Sequence, residues 1–160
     1  MSEIEQRAGK SKEELSKMNK KFLITGIACT IVGFVLSFLI HGVFLNEEYM
    51  KLVNTGIFRS QDEAHGLFHF MIISNVLIGF AFAWIYMHGI APGVSWVVQG
   101  LRFGLAAACL AAIPMYLIYY VIEPMPGMLV AKQIVFDTIA MMINGLVAAF
   151  INKSTAGQME

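Results

Sequence analysis

Asp137 is the residue whose position raises the sharpest chemical question. It lies about nine residues into an apolar run, within Val135-Phe136-Asp137-Thr138. An ionisable group at membrane depth costs roughly 2.5–3.5 kcal/mol on insertion scales unless it finds a partner. Asn144, seven residues on, shares its helical face. Asn75, in an earlier apolar run, is expected at similar depth. Two readings follow. Asp137 is a protonatable carboxylate in a proton or ion path, or a protonated or amide-paired side chain that fixes helix packing. No second acid lies deep in an apolar run, so a relay of carboxylates is unsupported.

Three histidines gather near one boundary. His41 ends the first apolar run, and His65 and His69 begin the second, with Asp62 three residues before His65. Imidazoles four apart on a helix point the same way and can share a metal. His41, His65 and His69 with Asp62 or Glu123 would complete a divalent-metal site. The same groups would also serve as a hydrogen-bonded network pinning the intervening loop to the bundle, which is the preferred reading. Bis-His haem would need imidazoles on facing helices at matched depth, here His41 and His69. The segment His65-Gly66-Leu67-Phe68-His69 lacks the glutamate of a metalloprotease motif. No cofactor is expected, with metal and haem as the alternatives. Cys29 and Cys109 have no metal-ligand spacing and read as packing residues.

The elements that must position these residues are apolar helices. Of 160 residues, 58% are hydrophobic and 14% charged, and the mean hydropathy is +0.68. Ordinary soluble domains carry about a quarter charged residues. A soluble chain of this length could not hide so much apolar surface. Four runs, at about 22–45, 66–87, 100–122 and 128–151, reach the ~20 residues that a helix needs to cross a bilayer. The expected fold is all-α, an integral membrane bundle of four transmembrane helices. Residues 1–21 form a polar N-terminal segment, in which Ser11-Lys12-Glu13-Glu14 fits a capping box. A short helix there would run into the first span. Residues 46–65 read as a polar loop, and 152–160 as a short tail.

Lys and Arg set the expected orientation. With the N-terminus inside, eight basic residues flank the inner side and three (Lys51, Arg59, Lys132) the outer. Both termini are therefore expected in the cytoplasm. Net charge is zero and no basic face is evident, which argues against nucleic acid as a partner.

Helices in lipid associate by close packing of small residues. Gly100, Gly104, Ala108 and Ala112 recur every four residues on one face of the third run. Gly79 and Ala83, Gly26, Gly33 and Ser37, and Gly145 and Ala149 offer similar faces on the others. Trp84, Tyr86, Trp96, Tyr119 and Tyr120 fall near span ends, where aromatic belts sit. Gln99 and Arg102 read as boundary anchors. Pro114 is expected to kink the third span and free the carbonyl of Leu110.

Three segments carry a resemblance: Phe38-Leu39-Ile40-His41-Gly42-Val43-Phe44-Leu45 followed by Tyr49-Met50, Gly100-Leu101-Arg102-Phe103-Gly104-Leu105, and Asn144-Gly145-Leu146-Val147. Over about residues 22–151 the layout resembles small four-span bacterial membrane proteins of unknown function. That resemblance implies a four-helix fold in a bacterial inner membrane and no activity.

No nucleophile–base pair or phosphate-cradling glycine loop is visible, so an enzyme is not expected. The leading expectation is a non-enzymatic accessory, assembly or structural subunit of a membrane complex, with a membrane-protein partner or further copies of itself. The alternative is a small proton-coupled transporter or channel centred on Asp137. A second alternative is a metal- or haem-binding membrane protein using the three histidines.

Overall fold

The computed structural model describes residues 3–156. α1 (Glu3–Ser37) passes into a π-helical turn (Phe38–Phe44), followed by α2 (Asn46–Asn54), α3 (Gln61–Gly66) and α4 (Phe68–His88). α5 (Trp96–Ala107) and α6 (Ile113–Ile122) are joined by a second π turn (Ala108–Ala112), and α7 (Gly127–Ala156) completes the chain. No strand occurs among the described residues. The fold is all-α. Four helical stretches are long and apolar enough to cross a membrane: Lys12–Phe44, Phe68–His88, Trp96–Ile122 and Gly127–Lys153. The buried Asn152 Nδ2 donates to Thr25 Oγ1 at 3.0 Å, which ties the start of the first span to the end of the fourth. We call that side the terminal end and the opposite side the loop end.

The N-terminal segment is helical from Glu3 onward and continuous with the first span. Ser11 therefore lies within a helix and not at the start of one. The stretch 46–65 is not a simple loop. α2 is amphipathic: Leu52 is buried, and Tyr49, Ile57 and Phe58 pack on a cluster of Ile40, Leu45, Met125, Leu129 and Val130. Gly56 ends this segment at φ 76°, a conformation that favours glycine. α3 starts at a true capping box. Ser60 Oγ accepts from the Glu63 N–H at 3.4 Å, and the Ser60 N–H donates to the Glu63 carboxylate at 3.1 Å. The Ser60 backbone and hydroxyl donors hold the Glu63 carboxyl below its ordinary range.

Packing rests on missing side chains. A Cβ on Gly104 would come within 2.5 Å of Met142 Cα, and one on Gly100 within 2.7 Å of the Gly145 carbonyl oxygen. α5 therefore lies backbone to backbone on α7, with Ala108, Ala148 and Ala149 fully buried nearby. Gly79 does the same for α4 on α1, where a Cβ would stand 2.7 Å from the Thr30 nitrogen. Large side chains such as Leu23, Ile31, Leu77, Leu110, Val121 and Val135 face outward. That inverted distribution is what lipid tails would cover.

Two residues read as boundary anchors are internal ties. Tyr86 is buried, and its hydroxyl accepts from Gln99 Nε2 at 3.1 Å. Gln99, also buried, accepts the Ala91 N–H at 3.1 Å through Oε1. Together they close the terminal end between α4 and α5, where Phe103 packs edge-on against Phe82 and Tyr86. Burial wins over the boundary because each polar atom has a partner there. Trp84, Tyr119, Tyr120 and Arg102 are exposed. Pro114 lies inside the continuous helical stretch Trp96–Ile122, two residues after the π turn Ala108–Ala112. The irregularity expected there takes the form of the π turn that precedes it.

Candidate functional site

A cavity of about 480 Å³ lies among all four spans. Gly33, Ser37 and His41 line it from the first span, and Met71, Ser74 and Asn75 from α4. Ala112 comes from the second π turn, and Asp137, Ala140, Met141 and Asn144 from α7. Asp137, Asn144 and Asn75 are thus brought together. A Cβ on Gly33 would stand 3.1 Å from Asn144 Nδ2, so the absence of one gives that amide its room.

His41 joins them from the histidine set. It sits in the first π turn, where the Leu45 N–H reaches back five residues to the Ile40 carbonyl at 2.9 Å. Such turns are frequent at functional sites because they re-aim a side chain within a helix. His41 Nε2 faces Asp137 Oδ1 at 3.3 Å. The other carboxylate oxygen accepts a short hydrogen bond from the Tyr116 hydroxyl. On the far side of the ring, His41 Nδ1 lies 2.6 Å from the Tyr49 hydroxyl. Gln133 Nε2 donates to that same hydroxyl at 2.9 Å.

The Gln133 amide nitrogen donates to the Tyr49 oxygen, and the Tyr49 O–H is placed to donate to His41 Nδ1. His41 Nε2 then carries the hydrogen that points at Asp137. In the series Gln133–Tyr49–His41–Asp137–Tyr116, His41 and Asp137 line the cavity, while Gln133 and Tyr116 line a second one of about 300 Å³ with Phe58 and Glu123. Burial pushes the Tyr49 phenol up to about 12, so it stays protonated at neutral pH and acts as donor and acceptor. Outside it, Lys132 Nζ meets Glu48 Oε1 at 2.6 Å and pins α2 to α7.

No family model, curated protein or solved structure matches this chain. The likeness to four-span proteins therefore rests on the four apolar helices alone. The chemistry must be argued from the site.

The remaining histidines do not join it. His65, His69 and Asp62 are exposed, and the His69 ring lies against Phe70 with centroids 4.2 Å apart. Among the described residues, no three His, Cys, Asp or Glu side chains converge as a metal site requires. Both ring nitrogens of His41 are engaged, by Asp137 and Tyr49. That leaves none to ligate a metal or haem shared with His69. Of the small-residue stripe, Gly100, Gly104 and Ala108 are spent on helix packing, and Ala112 alone reaches the cavity.

Tyr49, Tyr116 and Gln133 were not evident from sequence. Gln133 had a signal: it precedes Asp137 by four residues, on the same face of α7. Tyr49→Phe removes the donor to His41 Nδ1. Nitrogen-15 NMR at a pH where the ring is neutral should find a single Nε2–H tautomer in the native chain and a mixture in the variant. An unchanged single tautomer in Y49F would remove this role for Tyr49.

The Glu48–Lys132 pair adds a pH dependence at the loop end. The hydrogen bond from Lys132 holds the Glu48 carboxyl below its ordinary 4.5. A depressed carboxyl contributes stability above the unfolded value and loses it as pH falls through the folded value. Docking of α2 is therefore full above 4.5 and weakens below it. Amide hydrogen exchange of Asn46–Asn54, corrected for intrinsic rate, should rise in that acid window. It should be equally fast at neutral pH in Lys132→Met.

Proposed function

We propose that this chain is a non-enzymatic multi-pass membrane protein that conducts protons through His41 and Asp137. One observation carries the reading. A carboxylate and an imidazole meet at 3.3 Å on the wall of a cavity lined by all four spans, and each is also hydrogen-bonded to a tyrosine hydroxyl set back from that wall. A packing aspartate needs only a donor or two from its neighbours. A series that reaches from the loop end to a cavity supplies a path for proton transfer as well.

The accessory-subunit reading drew its support from the small-residue faces. Gly100, Gly104, Gly145 and Gly79 are occupied within the chain, so they add nothing to a docking surface. The lipid bilayer is the expected surrounding. The Lys and Arg count supports both termini in the cytoplasm, and the resemblance in layout to four-span bacterial proteins supports an inner membrane. In that orientation the loop end, with Tyr49 and Gln133, meets the outside.

The test uses purified full-length chain in liposomes holding a pH-indicator dye. A pH step across the membrane should collapse faster than in protein-free liposomes. Equal rates would contradict the proposal.

A further inference from the structure

Among the described residues that line the cavity, the acidic and basic groups are Asp137 and His41. Asp137 supplies a carboxylate, and Ser37 and Ser74 supply hydroxyls. The Asn75 amide N–H₂ already donates to the Met71 carbonyl at 2.9 Å, which leaves its Oδ1 as the cavity-side acceptor. Asn144 is 7% exposed, and its buried Oδ1 has no hydrogen-bond partner among the described residues. That oxygen is turned away from the cavity, and turning the amide over would bring it to a ligand N–H. No Lys or Arg lines the cavity. Phe70, Met71, Ile78 and Met141 make up its apolar wall. The volume falls within the roughly 300–1,000 Å³ range of small-molecule sites.

We infer that the cavity binds a small organic ammonium ion whose charged head meets Asp137 and the Asn144 and Asn75 oxygens, with its apolar part against Phe70 and Met141. Three N–H donors match three oxygen acceptors, and the positive charge faces the carboxylate. An anion would meet Asp137 with no cation to offset it. A neutral alcohol offers one donor and no charge. This assignment rests on the proposed proton chemistry at Asp137 and names what competes with the proton there.

The proton balance is explicit. The ammonium ion pairs with the carboxylate form of Asp137, so wherever Asp137 carries a proton, that proton leaves to water as the ion binds. The other groups facing the pair are Tyr116 from α6, Tyr49 from α2, and Asn75 and Ser74 from α4. Tyr116 and Tyr49 hydrogen-bond to the pair without net charge, and the Glu48–Lys132 ion pair beyond them is neutral overall. Binding should therefore weaken as falling pH puts a proton on that carboxylate.

Three probes of matched shape test this: 2-phenylethylamine, 2-phenylethanol and phenylacetate. They are titrated calorimetrically into the purified full chain in detergent, with an indicator dye following proton release. The amine should bind saturably, about tenfold or more tighter than the alcohol, with phenylacetate weaker than both. Asp137→Asn should remove the preference for the amine over the alcohol. Asn144→Leu should weaken amine binding in a chain that still melts cooperatively. Equal binding of all three probes, or binding of none by folded native chain, overturns the inference. Proton flux in liposomes without amine binding removes this assignment and leaves the proton chemistry standing. Amine binding without flux supports the site and removes transport.

Discussion

Asp137→Asn is expected to bring proton flux down to the level of protein-free liposomes while the bundle stays folded. The amide cannot release a proton, so exchange at this position ends. It can still fill the space. Its oxygen accepts from His41 Nε2–H, and its nitrogen donates to the Tyr116 hydroxyl oxygen, so the imidazole keeps its tautomer. The net change is about one neutral hydrogen bond, on the order of 1 kcal/mol. Asp137→Ala is different. It leaves the His41 Nε2–H and the Tyr116 O–H without their acceptor, at about 1–3 kcal/mol each. Flux should therefore vanish in both variants, while the melting midpoint falls clearly in the alanine variant only. Native flux in Asp137→Asn, with destabilisation confined to Asp137→Ala, would make the carboxylate a packing group.

The second large effect is on assembly of the bundle. Gly104→Leu should separate α5 from α7. Even a Cβ there would stand 2.5 Å from Met142 Cα, against backbone on a helix that cannot yield locally. Overpacking of this kind costs about 1–3 kcal/mol and occasionally more, and leucine adds three further carbons. α7 carries Asp137, Asn144 and Gln133, so the site should be disturbed along with the packing. A thermal melt in detergent should show a lowered midpoint, with Gly104→Ala intermediate. Leucine at exposed Cys109 on the neighbouring π turn should leave the midpoint unchanged. A native midpoint in Gly104→Leu would mean that α5 and α7 are not in backbone contact.

Much of this arrangement was legible in the residues, and what escaped has physical reasons. Asp137 and Asn144 stood out because a polar residue in an apolar run must be partnered, and their spacing placed them on one face. Gln133 belongs to the same stripe one turn earlier. It was missed because it lies nearer the span end, where a polar residue needs no explanation. Tyr49 was missed for a different reason. The 46–65 stretch has loop-like polarity, yet Leu52, Ile57 and Phe58 fold it against the bundle. That docking brings the phenol to His41, a contact set by tertiary packing and not by local pattern.

The two Ser-x-x-Glu patterns make the same point. Ser11-Lys12-Glu13-Glu14 and Ser60-Gln61-Asp62-Glu63 are equivalent on paper. Only Ser60 follows a non-helical residue and can turn the chain into a helix. His41 was assigned to His65 and His69 on boundary depth. The π turn in Phe38–Phe44 aims it at α7 instead, and a widened turn has no composition of its own to announce it. The glycine stripe of the third span disclosed a packing face. Its mate, Gly145, could be named only once the helices were seen in contact.

The most direct test is to observe the proton on Asp137 itself. Infrared difference spectra of the reconstituted chain, recorded while pH is cycled between acid and alkaline, report carboxylic C=O stretching in the membrane interior. The native chain should show a carboxylic band that appears and disappears reversibly, shifts in heavy water, and is missing from Asp137→Asn. Native and Asp137→Asn spectra that coincide at every pH would contradict a proton-exchanging carboxylate in this cavity.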